Sequence, residues 1–210
     1  MARLINGING PIQGKVGTVI GSSWRGISYI KGPYKKRRAK VGVGEAANRN
    51  KFGAAHFWLR PLKKFVRQVY KSDTDRVQGF LAAKSYLLLH AFEGIQPDIR
   101  INPALMKVSA GSLPLSADIA VEKTAAGELQ FSWDPSHVEG AQPRDQVMIL
   151  AYDTGHGRAF YNTFGQFRSA GADMLRTDPA PGNTYHIYLA FTAADRSRQS
   201  DSVYLGAITM

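Results

Sequence analysis

The sequence predicts an α+β protein: a basic, glycine-rich N-terminal arm, a helical hairpin, then an antiparallel β-sandwich. Three observations predict it. Nine glycines fall within residues 1–44, interleaved with β-branched and aromatic residues. Apolar residues then recur at helical spacing from Phe52 to Val69. From residue 118 onward the apolar period is two, and Gly and Pro divide the chain into short segments. The expected boundaries are 1–44 for the arm, 45–94 for the hairpin, 95–117 for a linker with one strand, and 118–210 for the sandwich. A chain of 210 residues, 44% hydrophobic, can bury a sizeable core.

In the arm, KVGTVIG and GISYIKG read as two short strands around a turn at Ser22-Ser23-Trp24-Arg25. Glycine at this density disfavours a helix by roughly 1 kcal/mol per position against alanine. It also weakens an isolated strand, so the arm is expected to order against another surface. Gly32-Pro33-Tyr34 leads into Lys35-Lys36-Arg37-Arg38 and Lys40, cations that repel one another unless an anion neutralises them.

Residues 45–70 read as a helix with the stripe Phe52, Ala55, Leu59, Leu62, Val66 and Val69. Pro61 is expected to kink it or to open a second segment. Lys51, Arg60, Lys63, Lys64, Arg67 and Lys71 take other faces. Phe57, Trp58 and Phe65 lie off the stripe and fit either packing on a neighbouring element or a partner-facing patch. Ser72-Asp73-Thr74-Asp75 caps a second helix over 75–93, with Val77, Phe80, Leu81, Leu88 and Phe92 inward and Gly94 closing it. Strands follow at 105–110, 118–123, 128–133, 145–152, 158–163, 166–169, 184–192 and 201–208.

GELQFSWDPS, QVMILAY, PAPGNTYHIYLAF and SDSVYL resemble the B, C, F and G strands of a fibronectin type III or immunoglobulin-like sandwich. That resemblance implies Trp133 as core tryptophan and Tyr185 as corner tyrosine, and it implies no particular function. GKVGTVIGSSWRG, followed by a basic segment and the helix KFGAAHFWLRPLKKF, is similar to a bacterial family of small basic proteins of unknown function. No site comes with that similarity.

Net charge is +11 and uneven: residues 1–71 hold 16 Lys and Arg against the single acid Glu45, and residues 72–210 hold 11 against 15 acids. A polyanion-binding arm on a near-neutral body has this distribution. The cations Lys15, Arg25, Lys31, Lys35, Lys36, Arg37, Arg38 and Lys40 alternate with Trp24, Tyr29 and Tyr34. Cations neutralise phosphates, glycines let backbone approach them, and the aromatic rings stack on unpaired bases. Lys15, Trp24, Arg25, Lys31, Tyr34, Lys35, Lys36, Arg37, Arg38 and Lys40 are therefore the expected nucleic-acid contacts. With no helix-turn-helix, RNA-recognition or zinc-finger signature, the contact is expected to tolerate any sequence.

Other chemistry is less well supported. No cysteine is present, which removes disulfides, thiolate metal ligands and cysteine nucleophiles. His56, His90, His137, His156 and His186 lack metal-ligand spacing, so neither metal nor cofactor is expected. Gly42-Val43-Gly44-Glu45-Ala46-Ala47 fits G-x-G-x-x-A but lacks a βαβ setting. Asp153-Thr154-Gly155 matches the aspartic-protease tripeptide, yet sits where a hairpin turn is expected, with no second such aspartate. The sequence thus favours a non-enzymatic structural protein whose arm binds nucleic acid or another polyanion. Alternatives are a self-assembling homo-oligomer, such as a virion or appendage component, and a hydrolase at Asp153. No signal peptide or membrane span is expected, so the location is expected to be cytoplasmic, or virion for the assembly reading.

Overall fold

The computed structural model describes residues 2–35, 40–70, 79–94, 98–125, 127–178 and 182–210. The Ser72–Asp75 cap cluster, Val77, Pro97, Pro179 and Pro181 lie outside the described residues, as do Lys36, Arg37 and Arg38. The chain forms two compact units, Met1–Val43 and Gly44–Met210.

The N-terminal unit is a four-stranded antiparallel sheet, β1 (Arg3–Leu4), β2 (Ile12–Val16), β3 (Val19–Trp24) and β4 (Ile27–Lys31), in that order. Gly17-Thr18 joins β2 to β3, with Gly17 at φ 54. Arg25-Gly26 joins β3 to β4, with φ 51 and 78. Two positive φ values in a two-residue loop define the type I′ turn, whose twist matches that of the flanking strands. The reversal therefore falls at Arg25-Gly26, and Ser22, Ser23 and Trp24 belong to β3 rather than to the expected turn. Glycine is required at Gly21 for another reason: a Cβ there would stand 2.0 Å from the Ile12 carbonyl oxygen.

The second unit starts with α1 (Val43–Leu59), α2 (Lys63–Val69) and α3 (Gly79–His90). The break at 60–62 contains Pro61, which cannot donate to the helix ladder. Next come β5 (Phe92–Glu93) and β6 (Arg100–Ile101), a two-stranded ribbon, then β7 (Ala120–Ala125), β8 (Glu128–Ser132), β9 (Gln146–Asp153), β10 (Arg158–Asn162), β11 (Ala172–Arg176), β12 (Thr184–Thr192) and β13 (Val203–Thr209). One antiparallel sheet runs β10-β9-β12-β13 and the other β11-β8-β7. The fold is α+β, and its paired antiparallel sheets are compatible with a β-sandwich.

Two cores meet at the four-stranded sheet. Val147, Ile149 and Ala151 of β9 and Ile187, Leu189 and Phe191 of β12 pack with Leu129, Phe131, Trp133 and Leu175. The alternate residues Met148, Leu150, Tyr152, Tyr188 and Ala190 pack with Leu59, Leu62, Phe65, Val66, Ala83 and Leu87 of the helical segment. With both faces covered, β9 and β12 carry unbroken apolar runs instead of alternation. The helices, residues 98–117 and strands β5–β13 all belong to this one unit.

Trp58 and Phe65, off the expected stripe, pack edge-on against Tyr152 and Tyr161 of the sheet, and Phe52 and Phe57 are exposed. In α3 the buried residues are Phe80, Ala83, Lys84 and Leu87; Leu81 is exposed. Phe92 lies in β5, and Gly94 serves the β5–β6 connection rather than a helix end. The expected strand at 105–110 is instead a 3-10 turn at Pro103–Leu105 and a single bridge from Ala110 to Tyr70. The expected strand at 166–169 is a 3-10 turn at Arg168–Ala170, and the strand follows it as β11. Among the described residues no helix is long and apolar enough to cross a membrane.

Candidate nucleic-acid interface

Register decides what the N-terminal sheet presents. Residues directly opposite in antiparallel strands share a face. Lys15 pairs with Ile20 and Ile20 with Lys31, Ser22 with Tyr29, and Trp24 with Ile27. Lys15, Trp24, Tyr29 and Lys31 therefore stand on one face, the two lysines ~10 Å apart across two strand spacings. The opposite face carries Val16 with Val19, Gly14 with Gly21 and Ile30, and Ser23 with Ser28.

The cationic face is assembled from cation–ring pairs. The Arg25 guanidinium lies 4.6 Å from the centre of the Trp24 ring, and Lys31 Nζ lies 5.8 Å from that of Tyr29. Such pairs hold the cations beside the rings at a gain of about 0.5–1 kcal/mol where exposed. Trp24 is 61% exposed, so its ring remains open to a stacking partner.

Of the ten expected contacts, the sheet brings together Lys15, Trp24 and Lys31, with Arg25 in the adjoining turn. Tyr34, Lys35 and Lys40 lie beyond β4, all exposed and outside regular structure. Lys36, Arg37 and Arg38 fall outside the described residues. Tyr29 joins the face although it was not among those ten. Its signal was the two-residue spacing Ile27, Tyr29, Lys31.

A family model matches residues 11–206, which covers most of the first unit and nearly all of the second. The chain belongs to DUF6266, a family of unknown function. No curated protein and no solved structure matches it. The DUF6266 match is consistent with the expected uncharacterised family and assigns no residue a role.

The Asp153 tripeptide occupies the β9–β10 hairpin, where Asp153 pairs with Arg158 around a four-residue loop. The carboxylate is buried. Its Oδ1 accepts from the Gly155 and His156 amides at 2.9 and 3.1 Å. Its Oδ2 accepts from His156 Nδ1 at 2.7 Å, and because a carboxylate only accepts, that nitrogen carries the proton. Burial pushes the Asp153 carboxyl up, but the hydrogen bonds from His156 and Gly155 outweigh it and the net displacement is below the ordinary carboxylate value. All these bonds come from within the turn. Among the described residues no group of three or more His, Cys, Asp or Glu could hold a metal.

Asp153→Asn should cost about 1–3 kcal/mol of stability at neutral pH, because hydrogen bonds to a buried charge are lost. A lowered folded-state pKa contributes stability above the ordinary carboxylate value, and that contribution disappears as pH falls through the folded value. The stability gap between wild type and Asp153→Asn, measured by urea denaturation, should therefore hold above the ordinary carboxylate value and narrow as pH falls below it.

Proposed function

We propose that DUF6266 proteins of this type bind single-stranded nucleic acid, without sequence preference, on the cationic face of the N-terminal arm. The supporting observation is the shared face of Lys15, Trp24, Tyr29 and Lys31 with Arg25 at its edge. Lysines neutralise phosphates while the rings offer platforms for splayed bases. Tyr34, Lys35 and Lys40, with Lys36, Arg37 and Arg38, extend the contact along the strand. The second unit acts as a folded body; strands B, C, F and G of an immunoglobulin-like sandwich correspond to β8, β9, β12 and β13. In support, β12 lies between β9 and β13 as F lies between C and G. Tyr185 is buried and its hydroxyl donates to the Asp178 carbonyl at 3.2 Å, a corner-tyrosine bond.

Tryptophan emission tests this on the full chain. Trp58 and Trp133 are buried and Trp24 is exposed, so quenching by added oligonucleotide reports the arm. Titration with oligo(dT) should quench emission, and affinity should fall steeply between 50 and 200 mM salt. A salt-independent signal, or no quenching at 50 mM, would reject the proposal.

A second reading, self-assembly through the arm, is favoured by the opposite face, where Ile30 is 64% and Val16 47% exposed. β4 is also the last strand of its sheet, an edge open to strand addition. Sedimentation velocity at rising concentration separates the readings, since assembly requires a concentration-dependent increase in mass.

A further inference from the structure

Lys84 occupies a position where a charge is costly. It lies on the buried stripe of α3 between Phe80 and Leu87 and is only 6% exposed. Its ammonium stands 3.6 Å from the centre of the Phe52 ring. Among the described residues it has no carboxylate, carbonyl or hydroxyl partner, and burial lowers its pKa. Buried lysines are almost always paired, and a cation–ring contact offsets only part of the desolvation.

The same lysine lines a groove of about 750 Å³ along one face of α1. That volume lies within the usual range for small-molecule sites, roughly 300–1,000 Å³. Phe52 and Phe57 form its walls and are 55% and 73% exposed. Gly53 leaves its floor open: a Cβ there would meet nothing within 4 Å. A glycine inside a helix costs roughly 1 kcal/mol against alanine, and no packing in this unit requires it. Arg49 and Arg60 add positive charge to the lining, and the carboxylate of Glu45 is engaged by Arg49 at 2.7 Å.

We propose that this groove binds a small anionic amphiphile, its acidic head on Lys84 and its apolar body between Phe52 and Phe57 over Gly53. Charge complementarity selects an anion. The recessed ammonium and aromatic walls select one acidic head on an apolar body, because a nucleic-acid backbone presents its phosphates outside its bases. The site shares no residue with the arm's cationic face and does not depend on the reading given for it.

Isothermal titration of the full chain with decanoate tests the proposal, with decyltrimethylammonium as the charge control. Decanoate should saturate at one per chain, and the cation should not. Lys84→Met, similar in volume and uncharged, should weaken decanoate about tenfold or more while leaving the melting temperature unchanged or higher. Gly53→Leu should abolish binding by filling the floor, with the helix retained by circular dichroism. Equal binding of the cation, no saturable decanoate signal, or unchanged affinity in Lys84→Met would overturn it. So would displacement of decanoate by oligo(dT), which would assign the groove to a polyanion.

Discussion

Arg168→Ala should lose about 3–5 kcal/mol of stability, read as a lower urea midpoint with an unchanged slope. Arg168 is a fully buried cation with 2% exposure. Its guanidinium donates to Ser116 Oγ and to the Pro114 carbonyl, both at 2.8 Å. Its Nε lies 3.6 Å from the buried Asp145 carboxylate. The guanidinium also covers the Phe191 ring at 4.0 Å, and the Arg168 carbonyl accepts from Trp133 Nε1 at 2.7 Å. One side chain thus ties the segment entering β7 to the start of β9 and to β12. Removing it leaves the Asp145 carboxylate buried with, among the described residues, only the Gln142 amide donating to it at 2.8 Å, and leaves the Pro114 carbonyl without its donor. Stranding a buried charge is what makes this loss large. Arg168→Lys should rescue little, because one ammonium cannot reproduce the planar fork. Adding Asp145→Asn to Arg168→Met should recover part of the loss, since the stranded charge is then gone. A single Arg168→Ala within 1 kcal/mol of wild type would show that the buried pair is not integral to the fold.

How legible each feature was depended on how local its cause is. The stretches holding MILAY and IYLAF were legible as strands; that they are buried on both faces was not, because the helical segment covers the second face. Leu59, Leu62, Val66 and Val69 announced a helix because their stripe meets one sheet. For Trp58 and Phe65 the packing alternative holds, but the sequence could not choose it, because the partners Tyr152 and Tyr161 are distant in sequence. The burial of Arg168 had no local signal, because its partners come from three separate segments, 114–116, Asp145 and Phe191. At Asn102 the side chain accepts from the Ala104 amide and Pro103 follows, so a 3-10 turn forms where a strand was expected. β11 was missed because only Leu175 among its residues is buried, which leaves little alternation to read. In the N-terminal unit the cations and aromatics were visible as residues, but their common face was not. That face depends on register, and a one-residue shift of the β3–β4 turn would send the side chains of one strand to the other side.

Register also supplies the sharpest test of the proposed interface. Ser22 and Ser23 are neighbours on β3, but Ser22 faces Tyr29 on the cationic side and Ser23 faces Ser28 on the other. Ser22→Glu should weaken oligo(dT) binding substantially by placing a carboxylate among Lys15, Lys31 and Arg25, whereas Ser23→Glu should leave most of it. Replacing both Lys15 and Lys31 by Gln should lower the slope of log affinity against log salt by about 1.4, since each single-strand phosphate contact contributes about 0.7. Trp24→Ala should act differently, costing about 1–3 kcal/mol with the salt slope unchanged, because stacking releases no counterions. Fluorescence anisotropy of labelled oligo(dT) across 50–200 mM salt measures all four variants on one scale. Equal losses for Ser22→Glu and Ser23→Glu would mean that the strand is not read by one face. An unchanged slope in the double lysine variant would place the phosphates elsewhere, leaving the lysine rung to the assembly reading, in which Ile30→Thr on the opposite face should reduce the sedimenting mass.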